Sequence, residues 1–104
     1  MPPPKQSYLV LVDNFTDDGV LRRRQEARRV HLDREATQHE LGELVSAGET
    51  LDSHESGGIL GSALVVNATS PEEVMEMLKF DPYWDFRVWN LDTAKILPYK
   101  GASF

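Results

Sequence analysis

The 104-residue chain has no cysteine, which excludes a disulfide framework, a thiolate nucleophile and any cysteine-based metal site. Long apolar runs are missing too. No segment approaches the roughly 20 apolar residues needed to cross a bilayer. The opening MPPPKQ also lacks the apolar centre of a targeting peptide, so no membrane partner and a soluble, cytoplasmic protein are expected. Positive charge is in deficit, with 11 Lys and Arg against 17 Asp and Glu and a net charge of -6. Without a basic track interleaved with aromatics, such a chain is poorly suited to neutralising phosphates, and no nucleic-acid partner is expected. Internal repeats are absent, and the only low-complexity stretch is the run of three prolines near the start.

What remains suits one domain spanning 1–104, with residues 1–6 as a flexible N-terminal extension. A small core without covalent staples gains from association, so a homodimer is expected. YLVLV at 8–12 reads as a first strand, left through the turn-rich DNFTDDG, where Thr16, Asp17 or Asp18 would cap a helix. That helix runs from Val20 to about His39 or Leu41. Two endings compete. An apolar stripe through Val20, Ala27, Val30, Leu41, Leu44 and Val45 favours continuation, whereas Gly42 favours a stop followed by a strand around ELVSAGE. The stop is preferred because the longer helix leaves too little chain for strand pairing.

TLDSHESGGI is a loop and ILGSALVV a strand. SPEEVMEMLKF carries a compact helix signal, with Ser70 at the cap, Pro71 at the first position and Glu73 completing a capping box; Val74, Met75, Met77 and Leu78 form its buried side. Asp81 before Pro82 caps another turn, and FRVWNLDTAKIL supplies a last strand that is interrupted near NLD and ended by Pro98. The order β-α-β-β-α-β is a ferredoxin-like α+β arrangement, two helices on one face of a four-stranded antiparallel sheet. Covering the other face with a second copy would give a dimeric α+β barrel.

RRRQEARRVHLDRE at 22–35 sets one histidine among arginines. Helical spacing lets Arg24, Arg28 and His31 project to one side, so the guanidinium groups would bind an anion while the imidazole, with an ordinary pKa of about 6.5, moves a proton. The nearby arginines favour a neutral His31 unless an aspartate offsets them. The bland alternative is a charged helix exterior, with Glu26, Asp33 and Glu35 pairing the arginines. Asp81 stands beside Phe80, Tyr83 and Trp84. It either caps its turn or also orients His31, and one carboxylate is able to do both. Ser62 would donate to a ligand from its strand, although SGGILGS is not a phosphate loop and lacks the lysine of one. Asp52 and His54 form no strong zinc pattern, and no metal or cofactor is expected. Trp84 and Trp89 read as core or interface aromatics.

In order and spacing, YLVLV, RQEARRVH, the AG after Gly42, GSALVV, SPEEVMEML, DPY and the terminal PYK resemble the YCII-related, or YciI-like, domain family. The resemblance implies a ferredoxin-like fold, commonly a dimer of the α+β-barrel kind, with a site around a histidine and an aspartate. Those positions fall on His31 and Asp81, with arginines on Arg24 and Arg28 and a glycine-serine pair on Gly61 and Ser62. Glu49 and Arg29 stand where the family often has proline, and the last strand is longer than its usual counterpart, which implies a bulge or added turn. The family is similar to small enzymes that rearrange or dehalogenate muconolactone-type compounds. The expectation is therefore a small acid-base enzyme acting on a small anionic, cyclic or lactone-like compound through His31 and Asp81. The alternative is a non-catalytic dimeric module for a small ligand or a protein partner.

Overall fold

A computed structural model describes residues 3–104, so Met1 and Pro2 of the expected extension lie outside the described residues. The elements are β1 (Gln6–Asn14), α1 (Val20–Glu40), β2 (Leu44–Leu51), β3 (Ile59–Ala68), α2 (Pro71–Lys79), a single turn α3 (Pro82–Asp85) and β4 (Trp89–Pro98). Gln6, expected in the extension, is already opposite Ala68 in the sheet.

All strand pairs are antiparallel, in the order β2-β3-β1-β4. The sheet is open, with β2 and β4 as its two unjoined edges, and this corrects the expected α+β barrel. Four twisted strands with helices on one face leave the edge hydrogen-bonding groups too far apart to meet, and side chains fill a closed barrel only at about eight strands. Period-two alternation divides the sheet. Tyr8, Val10 and Val12 of β1 join Leu64 and Val66 of β3, Ala27 of α1, Val74 and Leu78 of α2, and Trp89 in one core. On the opposite face Leu97, Leu9 and Val65 form a cross-strand row that no helix covers.

Helix α1 stops as Gly42 requires. Gly42 takes a left-handed φ of 77°, its N–H reaches His39 O at 3.1 Å, and Glu43 N reaches Gln38 O at 2.9 Å. These two bonds satisfy carbonyls that the helix end leaves open. At the other end the expected side-chain cap is missing. Gly19 is the N-cap, and Asp17 instead accepts from Gly19 N and from Arg23 at 2.6 and 2.8 Å. The Arg23 guanidinium holds the Asp17 carboxyl down at about 2, burial opposing.

In α2 Ser70 accepts from Glu73 N at 3.1 Å, as expected, but the Glu73 carboxylate binds Thr69 N and Oγ1, one residue upstream of a capping box. Val74 and Leu78 are buried, with Met75 and Met77 packed beside them. The last strand is interrupted where NLD stands, the register jumping from Leu11 opposite Lys95 to Asp13 opposite Asn90. Asn90 and Thr93 hold the extra turn, with Asp92 N donating to Asn90 Oδ1 and the Thr93 hydroxyl to Asn90 O.

Candidate active site

Four residues of α1 are buried, Val20, Arg24, Ala27 and His31, spaced so that they lie on one stripe. Half of that stripe is polar. The apolar residues Leu21, Val30 and Leu41 face solvent instead, with Val30 57 % and Leu41 67 % exposed. Hydrophobicity therefore does not mark the inward face of this helix, and its charged groups must find partners or bind a ligand.

Arg24, only 4 % exposed, donates from Nη1 to Asn14 Oδ1 at 2.8 Å and from Nη2 to Ser62 Oγ at 3.0 Å. Its Nε makes no hydrogen bond but stands 3.4 Å from the Glu49 carboxylate on β2. Ser62 also accepts from Trp89 Nε1 at 3.0 Å. With both lone pairs taken, the Ser62 hydroxyl proton is left to donate. Gly61 brings this serine in: a Cβ there would lie 2.1 Å from Val12 O, so only glycine lets β3 run so close to β1.

His31 and Asp81, fifty residues apart in the chain, meet at 2.7 Å between Nδ1 and Oδ1. The same Oδ1 accepts from Tyr83 N at 2.8 Å, so Asp81 caps α3 and holds the imidazole at once. Two groups not anticipated from the sequence complete the surroundings. Glu35 Oε1 lies 3.2 Å from His31 Nε2, and Arg34 Nε lies 3.9 Å from Asp81 Oδ2. Tyr83 stacks on the His31 ring with centroids 3.7 Å apart and an 11° interplanar angle, while the Trp89 ring meets it edge-on. The Arg24 guanidinium carbon also lies over the Tyr83 ring, at 4.5 Å.

Burial disfavours charge on His31, but the hydrogen bonds to Asp81 and Glu35, with the charges of those carboxylates, outweigh it and raise its pKa above the usual 6.5. Of the two conditions the sequence left open, the structure shows the second: Asp81, joined by Glu35, offsets the guanidinium groups. An imidazolium donates from both nitrogens and matches this two-carboxylate setting. Burial likewise pushes the Tyr83 phenol up, with Arg24 opposing.

Beside these groups opens a cleft of about 210 Å³ whose lining includes Arg24, Arg28, His31, Glu35, Glu49, Ser62 and Tyr83. Arg28 is exposed at its rim. Arg22 and Arg23 pair with Glu26 and Asp17 outside it. Trp84 is 43 % exposed, whereas Trp89 is core. His39 binds the Leu44 carbonyl, and Asp52 is engaged within its own loop by Ser53 N, Ser56 Oγ and Gly58 N. Among the described residues no group of three or more His, Cys, Asp or Glu is arranged to hold a metal, and no helix is long and apolar enough to cross a membrane.

The missed residues carried partial signals. Glu35 sits four residues after His31, on the same helical face, and Glu49 replaces a proline common at its position. Asn14 and Arg34 gave none, since their roles depend on how β1 and α2 sit against α1.

The YCII-related domain model matches residues 8–90, from the first strand past Asp81 to the start of the last strand. The chain belongs to the YCII-related domain family. It is 34 % identical over 99 residues to aspercryptin biosynthesis cluster protein B of Emericella nidulans, covering 90 % of this chain and 62 % of that protein. This chain thus spans less than two thirds of that relative's length. A second relative from the same fungus, derivative of benzaldehyde biosynthesis cluster protein C, is 36 % identical over 83 residues, 75 % of this chain and 85 % of the relative. The fold of this YCII-related domain is shared by the 5-chloro-2-hydroxyhydroquinone dehydrochlorinase of Burkholderia phenoliruptrix, solved with 2,5-dihydroxybenzoquinone, at TM-score 0.75 and 19 % identity over 93 % of this chain and 96 % of that one. The buried His31–Asp81 pair lies within the segment that the family model matches.

Proposed function

We propose that this YCII-related domain is a small acid-base enzyme acting on a small anionic, cyclic or lactone-like compound. His31 moves the proton and Asp81 fixes its orientation. Arg24 and Arg28 take the anionic oxygen, and Ser62 donates a hydrogen bond to it. The observation that carries this reading is the buried His31–Asp81 contact of 2.7 Å beside a cleft lined by the buried Arg24. Loss of hydrogen halide or migration of a double bond both need a proton transferred next to a group that gains negative charge, and a protonated His31 with Arg24 and Arg28 lining the same cleft supplies a proton donor and the balancing positive charge. The name of the structural neighbour, a dehydrochlorinase, agrees with the loss of hydrogen chloride, and the names of the fungal relatives place them in small-molecule biosynthesis clusters.

Chloride release from 5-chloro-2-hydroxyhydroquinone and isomerisation of muconolactone are the two assays. Wild type is expected to turn over one of them, with His31→Ala and Asp81→Asn slower by about 10²–10⁴-fold. Turnover unchanged by His31→Ala in a folded protein sinks the reading.

One observation favours a second reading, a non-catalytic ligand-binding module: both ring nitrogens of His31 already face carboxylates. It predicts 2,5-dihydroxybenzoquinone binding without any turnover that depends on His31. The uncovered row Leu97, Leu9 and Val65 supports a homodimer in either case, since apolar surface of this kind is stabilised by a second copy. Light scattering is expected to give twice the chain mass for wild type and the single mass for Val65→Glu.

A further inference from the structure

We infer that Glu35 is the second acid-base group of the site, the carboxylate that takes the substrate's proton beside the cleft-side nitrogen of a protonated His31. This rests on the acid-base reading above and assigns a role to a residue that neither the family motif nor the helix pattern singled out.

The argument starts from access. Asp81 takes Nδ1 and does not line the cleft, so that nitrogen is closed to substrate. The other nitrogen, Nε2, meets Glu35 Oε1 at 3.2 Å. A ligand in the cleft therefore finds neither ring nitrogen free. Glu35 does line the cleft, and its side chain keeps 14 % exposure against 6 % for His31 and 5 % for Asp81. The ion pair runs through Oε1, and Oε2 accepts no hydrogen bond among the described residues. One carboxylate oxygen thus holds the imidazolium while the other is open to a ligand.

Charge supports the same assignment. An imidazolium hydrogen-bonded to Asp81 through Nδ1 and ion-paired with Glu35 through Nε2 is an acid and not a base, so the basic group nearest the ligand is the Glu35 carboxylate. In the step proposed, the substrate X–H bond breaks with its electron pair left on X, and the proton forms an O–H bond on Glu35. The resulting anion faces Arg24, Arg28 and the His31 imidazolium. The proton then returns to another position of the same compound in an isomerisation, or remains on Glu35 as a halide departs with the electron pair of its bond. Neither course needs an oxidant or reductant. The groups against His31 are Glu35 on its own helix, Asp81 at the cap of α3 and Tyr83 within it, and Trp89 edge-on from β4, with Arg24 and Arg28 lining the same cleft. Glu49 of β2 faces Arg24.

The test uses Glu35→Gln, which keeps shape and one acceptor but removes the charge, with Glu35→Asp beside it. The His31 titration midpoint is read by ¹⁵N NMR in the unliganded protein, and chloride release from 5-chloro-2-hydroxyhydroquinone gives kcat and KM. The expected result is a midpoint lowered by about one pH unit in Glu35→Gln and kcat lower by about 10²-fold at little-changed KM, partly recovered in Glu35→Asp. An unchanged midpoint overturns the inference, and so does undiminished kcat in Glu35→Gln when His31→Ala is inactive. If wild type releases no chloride, the failure belongs to the acid-base reading with this probe, and the midpoint alone then decides whether Glu35 shares the His31 proton.

Discussion

Replacing Ser62 by alanine removes one oxygen that two buried donors share. Its Oγ receives the Trp89 indole N–H and one Arg24 N–H, both at 3.0 Å, from residues 1 % and 4 % exposed. Alanine fits the space, so cavity and overpacking effects are small and the cost is that of unsatisfied donors. An orphaned neutral donor costs about 1–2 kcal/mol and a lost bond to a charged group about as much again, so Ser62→Ala should lose about 2–4 kcal/mol. That is a large share of the 5–15 kcal/mol typical of a domain, and a shift in urea midpoint at constant slope will report it. Adding Trp89→Phe removes the orphaned indole donor together with some packing. If donor desolvation dominates, the double variant loses about 1 kcal/mol less than the sum of the two single changes. A loss below about 1 kcal/mol in Ser62→Ala, or strict additivity in the double variant, refutes this account of the buried network.

Other outcomes follow from the same contacts. His31 is held above 6.5, so its protonation stabilises the folded chain fully below the unfolded value, and this contribution fades as pH rises through the folded value. Urea midpoints should therefore fall on going alkaline from about 6.5, and His31→Gln should flatten that slope. Asp81→Ala removes the α3 cap and leaves His31 with one carboxylate, a loss of about 3–5 kcal/mol measured by denaturation, with a lower His31 midpoint by NMR. Gly61→Ala forces β1 and β3 apart at Val12 O and should cost about 3 kcal/mol, the upper end of ordinary overpacking, again read as a urea midpoint.

The local signals were legible because they act within a few residues. Gly42, the Ser70–Pro71 start and Asp81 before Pro82 each act on their own backbone, and each produced the element end expected of it. Where a side chain had a choice of partners, local reading failed. Asp17 took Arg23 in place of a cap, and Glu73 took Thr69 in place of Ser70 N. The site was legible in half. Arg24 and His31 share a helical spacing, but the protonation of His31 stayed open in the sequence because arginines crowd it there while carboxylates crowd it in space.

The chain by itself determined the order of elements, the polar stripe of α1 and the one aspartate able to cap α3, because these depend on spacing and backbone preference over a few bonds. Only the tertiary structure decided that the sheet stays open and that Asp81 reaches His31 across fifty residues. It likewise decided that Glu35 and Glu49 turn the arginine-rich helix face into a cleft with both signs of charge. Those outcomes depend on how helices seat on a twisted sheet. Side-chain contacts between distant segments are set by that seating, and no local sequence pattern encodes it.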